Sequence, residues 1–183
     1  MALSAVKFGD AHKDRFYAAL NSKSYVEMAA GLEAIAAMDP KAGLEEAKAL
    51  EDQEYGRIQR AVASVYSRNG GPAQHGYFKR RLDEAIGNDL YTAVSLYGVY
   101  LSNQELPVIQ SGLDRLEAVA RNGSPWWVKY AAYNALNRIE QDLEARSKDG
   151  DENATVQWEA LRERWAAIRD AETDERLFPA LGK

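Results

Sequence analysis

His12 and His75 are the chain's only imidazoles. Zinc-dependent hydrolysis in the His-Glu-x-x-His manner needs two of them one helical turn apart, with a glutamate between. Neither fits: Lys13 follows the first and Gly76 the second. Each reads as a surface or cap residue, because zinc ligands come in spaced groups. Cysteine is absent, which removes thiolate nucleophiles, thiolate metal sites and disulfides. No Gly-x-Ser-x-Gly elbow presents a serine. Asn69-Gly70-Gly71-Pro72 is glycine-rich, but no Lys-Ser/Thr follows to complete a phosphate cradle. Glu45-Glu46, Asp83-Glu84 and Asp151-Glu152 are adjacent carboxylates. Neighbours in sequence point to different sides of a helix, so solvated faces explain them better than acid/base pairs.

Two features suit binding rather than bond-making. Lys79-Arg80-Arg81 is the one basic cluster, flanks Tyr77 and Phe78, and could meet an anionic group or an acidic partner domain. In so ordinary a composition a solvated helix face explains it better. Trp126 and Trp127 could line a pocket or an interface. The helical periodicity around them favours core packing. No catalytic residue and no metal ligand emerges from these motifs.

The elements that must position such residues are helices. A chain of 183 residues suits one domain able to bury roughly 70% of its unfolded surface. Its 46% hydrophobic and 28% charged residues place it among ordinary globular proteins. The net charge of −5 is spread along the chain, with Lys and Arg scattered, so no nucleic-acid footprint is expected. The uncharged run from Leu90 to Gln104 carries Thr92, Ser95, Gly98, Ser102 and Asn103. It falls short of the ~20 apolar residues of a membrane span and reads as a fully buried helix in a soluble chain.

Helix start signals recur at short intervals, and no segment alternates like a strand. Asp10 suits the cap of a first short helix. Ser24-Tyr-Val-Glu27 is a capping box ahead of Met28, Leu32, Ile35 and Ala36. Asp39-Pro40 ends that helix and opens another. Asp52 is expected to cap a fourth, with Tyr55, Ile58, Val62 and Val65 on its buried stripe. A fifth, after the Gly70-Gly71 turn, carries Tyr77, Phe78, Leu82 and Ile86, and the uncharged sixth follows. A seventh begins near Pro107. Ser124 as N-cap and Pro125 at the first helical position open an eighth, where Val128, Ala132, Ala135, Ile139 and Leu143 form one stripe. Trp126, Tyr130 and Tyr133 form a second. A helix apolar on two sides, with alanines between large aromatics, should lie between neighbours. The polar stretch 146–153 is expected as a flexible loop before a last helix with Val156, Leu161, Trp165 and Ile168 inside. The tail from Thr173 reads as irregular.

Short turns place sequential helices antiparallel. The Asp39-Pro40, Gly71-Pro72, Leu106-Pro107 and Ser124-Pro125 signals suggest helix pairs of about 35 to 40 residues, between the tetratricopeptide and HEAT periods. The expected fold is all-α, a right-handed helical-repeat array of about eight to nine helices spanning 1–183 as a single domain, in preference to an irregular bundle.

The stretch from Ser124 to Leu136 resembles a signature of the C-terminal helical domain of bacterial zinc aminopeptidases of the membrane alanyl aminopeptidase (gluzincin) type. Ala47-Lys-Ala-Leu-Glu51, Ala61-Val-Ala-Ser-Val-Tyr66-Ser-Arg-Asn-Gly70 and Ile109-Gln-Ser-Gly-Leu-Asp-Arg-Leu-Glu117 fit the same domain, so the likeness covers roughly residues 24 to 145. It implies a HEAT- or armadillo-like superhelix that closes over a separate thermolysin-like catalytic domain. That other domain would hold the zinc and the Gly-x-Met-x-Asn substrate motif, neither of which has a counterpart here. The implied partners are the catalytic domain of the same polypeptide and peptide substrate near the domain interface. Met1 to Lys7 lacks the apolar run of a signal peptide. Compartment, whether bacterial cytoplasm or periplasm, stays open, because the resemblance makes this chain a piece of a longer one. The competing expectation is a free-standing helical-repeat scaffold whose concave face binds a peptide or protein.

Overall fold

Asp39 shows how local chemistry divides this chain into helices. Its N–H closes one helix on the Ile35 carbonyl (2.8 Å). Its carboxylate opens the next by accepting from the N–H groups of Lys41 (3.0 Å) and Ala42 (3.1 Å). Pro40 supplies the fixed φ of a first helical residue. A computed structural model describes residues 12–182 in this way. The Asp10 cap therefore lies outside the described residues.

Among them the structure is all-helical, with no strand. The helices are α1 (12–20), α2 (Tyr25–Met38), α3 (Pro40–Leu50), α4 (Gly56–Asn69), α5 (His75–Glu84), α6 (Gly87–Ser102), α7 (Leu106–Asn122), α8 (Trp126–Lys148), α9 (Glu152–Ala171) and α10 (Phe178–Leu181). Two 3-10 turns, Pro72–Gln74 and Glu175–Leu177, lie between them. The chain groups into two compact units, one ending at Gln74 and one starting at His75, where the sequence suggests one domain.

In the first unit α2, α3 and α4 pack on one another around Leu32, Ile35, Ala47, Ile58 and Val62. Ser24 caps α2 as expected, accepting from Glu27 N–H (3.5 Å). The reciprocal half of the capping box is rerouted. Ser24 N–H donates to Ser22 Oγ (3.0 Å), and the Glu27 carboxylate accepts from the Ser22 hydroxyl. Asp52 does not cap α4. It sits in the turn after α3, where Gln53 N–H still reaches the Leu50 carbonyl, and α4 starts from Tyr55 instead. The Tyr55 ring stacks on Tyr25, centroids 3.5 Å apart, so it lies on the surface rather than in the stripe.

In the second unit α8 is the central element, packed against α6, α7, α9 and α10. Its buried positions are Val128, Ala131, Ala132, Tyr133, Ala135, Leu136, Ile139 and Leu143. Contact is most extensive with α6, where Gly98 lies directly on Ala135. Pro125 is extended (ψ 176°), so it serves as N-cap and α8 begins one residue later than the Ser124-Pro125 signal suggests. The uncharged α6 buries Ala93, Val94, Tyr97, Tyr100 and Leu101, but it is not fully covered: Tyr91 faces outward. Helix α5 ends at Glu84, two residues before Ile86, and Gly87 takes a left-handed φ of 55° to turn into α6. Ile86 thereby leaves its expected stripe and is 82% exposed.

The 146–153 stretch, expected as a loop, is helical at both ends. Helix α8 continues through Lys148, and Asp151 caps α9 by accepting from Ala154 N–H (3.0 Å). On α9 the inner stripe is Ala154, Leu161, Trp165 and Ile168. Val156, two residues beyond Ala154 and so on the opposite side, is exposed. The tail is ordered, because Leu177 and Leu181 bury themselves and Asp174 caps the 3-10 turn Glu175–Leu177. No helix among the described residues is long and apolar enough to cross a membrane.

Candidate functional site

Trp126 and Trp127 are the first two residues of α8. Consecutive helical residues diverge by about 100°, so the two indoles cannot share one side of the helix. Their rings meet edge to face, centroids 6.0 Å apart and planes at 83°. Trp127 is 37% exposed and Trp126 half-buried. The core position expected of this pair belongs instead to Val128, one residue further on.

Around the indoles lies a groove of about 760 Å³. Tyr130, one turn along α8, continues its floor, and Asn88 and Tyr91, near the start of α6, form one side. Pro179 of α10 and Arg176 of the preceding turn close the other. The Arg176 guanidinium carbon stands 5.3 Å from the centroid of Trp126, a cation–π contact. The same guanidinium is gripped by Asp174, Nε to Oδ1 at 2.8 Å and a terminal nitrogen to Oδ2 at 2.6 Å. That side-chain hydrogen bonding holds the Asp174 carboxyl below its ordinary pKa. Both charges are thus matched beside an otherwise apolar, aromatic groove.

The tail that carries Arg176 and Pro179 is fixed by Glu172, whose side chain is only 6% exposed. One carboxylate oxygen accepts from Lys129 (3.1 Å) and from the Tyr133 hydroxyl. The other accepts from the N–H groups of Thr173 (2.9 Å) and Asp174 (2.8 Å). Burial pushes the Glu172 pKa up, but the hydrogen bonds from Tyr133, Asp174 and Lys129 outweigh it and hold the carboxyl at about 2. Burial, and then the anion beside it, raises the Tyr133 phenol. Asn137 adds a second tie, donating to the Ala180 carbonyl (2.9 Å) while accepting from Trp165 Nε1 (2.8 Å).

The basic cluster does not join this site. Lys79, Arg80 and Arg81 fan around successive positions of α5, and Arg81 pairs with Glu84 at 3.6 Å. The adjacent carboxylates also act separately: Asp83 holds Arg115, while Asp151 caps α9. His75, expected as a surface or cap residue, is the first residue of α5 and is half-buried. Its Nε2 is 2.7 Å from the Tyr97 hydroxyl, and its Nδ1 is 3.3 Å from Ser111 Oγ. Burial, and then Lys79, lowers its pKa and favours the neutral ring. Ser111 gives its proton to the Val108 carbonyl (3.2 Å), a bond along its own helix, so this group ties α5 to α6 and α7 rather than priming a nucleophile.

Tyr91, Arg176 and Pro179 carry no sequence signal that joins them to the tryptophans, since they lie 35 or more residues away along the chain. Among the described residues no three His, Asp or Glu side chains are grouped to hold a metal ion. The arrangement is suited to recognition by an aromatic surface, and no nucleophile–base pair faces the groove. Comparison with known protein families, curated proteins and solved structures finds no match to this chain.

Proposed function

We propose that this chain is the non-catalytic C-terminal helical domain of a zinc metalloaminopeptidase, walling the active-site entrance of a neighbouring catalytic domain and limiting substrate access. The observation that carries the reading is the Ser124–Leu136 segment. It builds the central helix of its unit, packed on several sides by other helices, and it is the segment in which the family resemblance is concentrated. A HEAT- or armadillo-like right-handed superhelix is part of the proposal. It is supported by next-but-one packing within each unit: α2 on α4 in the first, α6 on α8 and α7 on α9 in the second. Stacked helix pairs bury their faces in this order.

In this reading zinc belongs to the catalytic domain. The residues here do not fit it, because His12 and His75 lack the spacing of a zinc motif in the sequence and no group of three His, Asp or Glu side chains is assembled among the described residues. The chain's contribution is shape: a packed helical wall restricts which peptides reach the metal. The partners are that catalytic domain and peptide substrate near the shared boundary. The purified chain is expected to show no aminopeptidase turnover on aminoacyl anilides and no stoichiometric zinc uptake. Turnover, or one tightly held zinc per chain, would overturn the proposal.

One observation favours a second reading, a free-standing helical-repeat interaction scaffold. The aromatic groove beside Trp127 is open to solvent within the second unit, and exposed aromatic surface of this kind marks a partner site. The two readings part at the gene, where only the first requires a catalytic domain in the same polypeptide.

A further inference from the structure

We infer that the aromatic groove of the second unit binds a proline-rich peptide segment in the polyproline II conformation. The inference rests on that unit's surface alone and stands whether or not the chain belongs to an aminopeptidase.

Three properties of the groove select this occupant. The first is its floor. Trp126, Trp127, Tyr130 and Tyr91 offer flat aromatic faces, two of them 37% exposed, and Pro179 extends the apolar wall. Pyrrolidine rings pack on such faces, which is how proline-rich segments dock in aromatic-lined grooves. The second is its hydrogen-bonding sense. The indole N–H groups of Trp126 and Trp127 can only donate, and the hydroxyls of Tyr91 and Tyr130 and the Asn88 amide can donate as well as accept. None of them makes a side-chain hydrogen bond to another described residue. A polyproline II chain is the complementary partner. Its backbone has no internal hydrogen bonds, and proline contributes carbonyl acceptors without N–H donors.

The third property disfavours a cationic guest. The groove already holds a cation, Arg176 over Trp126, and the carboxylate beside it, Asp174, is engaged in a two-point bond with Arg176. The remaining lining carries no charge. A neutral, donor-rich, aromatic groove matches an uncharged, acceptor-rich chain. The volume of about 760 Å³ accommodates a short segment of it.

The test uses the full chain, uniformly labelled with nitrogen-15. The four tryptophans give separate indole N–H signals, of which Trp165 is a buried internal reference. Titration with a decaproline peptide is expected to shift the Trp126 and Trp127 signals saturably and leave Trp165 in place. A Gly-Ser peptide of equal length is expected to shift neither. Trp127→Ala and Tyr91→Ala, both at exposed positions, should each weaken decaproline binding about tenfold with unchanged helical circular dichroism. No shift at millimolar decaproline overturns the inference. So does equal response to the Gly-Ser peptide, unchanged affinity in both variants, or equivalent shifts from tetramethylammonium chloride, which would mark a cation site, or from a soluble oligosaccharide.

Discussion

At the scale of single residues the tail of the second unit depends on Glu172. Its carboxylate is buried among Lys129, Tyr133 and two backbone N–H groups, so substitution leaves several donors without their anion. Glu172→Gln is expected to cost about 1–3 kcal/mol of stability, read as a lower urea midpoint. The pH dependence has a definite sign. The folded carboxyl is held at about 2, below the ordinary glutamate value of about 4.3. Its contribution is therefore full above the ordinary value and is lost as pH falls toward the depressed one. Between about pH 5 and pH 2 the wild-type midpoint should fall more steeply than that of the variant. Equal slopes would show that Glu172 is not held as described. The tryptophans give a second contrast at this scale. Trp165 is fully buried and bonded to Asn137, so Trp165→Ala should cost about 3–5 kcal/mol. Trp127→Ala, at the groove and partly exposed, should cost clearly less, about 1 kcal/mol. Equal losses in thermal denaturation would contradict the placement of Trp127. The sequence makes both residues look like core, because a helical stripe reveals period but not which side a neighbour occupies.

At the scale of elements α6 and α8 approach each other closely through Gly98 and Ala135. A Cβ added at Gly98 would collide with the Ala135 Cβ and lie 2.9 Å from its Cα. Gly98→Ala is therefore expected to destabilise by about 1–3 kcal/mol despite its better helix propensity. A rise in melting temperature would show that the two helices can separate without loss. Helix existence was legible from α1 to α9 but not in the tail, where α10 lies in a stretch read as irregular, since capping residues, prolines and apolar spacing are local signals. Ser24 and Asp39 cap as their motifs suggest. What stayed illegible was set by contacts from afar. Tyr55 replaces Asp52 at the start of α4 while stacking on Tyr25, thirty positions earlier. The tail after Thr173 orders because Glu172 and Ala180 find partners on α8, about forty residues back. The groove belongs to the same class. Its tryptophans stand out in the sequence, but Tyr91 and Arg176 join them only through the packing of α6, α8 and the tail.

At the scale of the whole molecule the two units each have an internal core, Leu32, Ile35 and Val62 in the first, Leu116, Leu136 and Trp165 in the second. A segment comprising residues 75–183 is expected to fold alone, with helical circular dichroism and a cooperative thermal transition. A non-cooperative melt would mean that its core needs the preceding residues. The proposed role, walling the entrance of another domain's zinc site, can be checked at the gene. The coding DNA upstream of the Met1 codon should be sequenced. An open reading frame is expected to continue upstream and to encode His-Glu-x-x-His together with Gly-x-Met-x-Asn. An in-frame stop codon and a ribosome-binding site immediately ahead of Met1 would contradict it and leave the free-standing scaffold as the reading that remains.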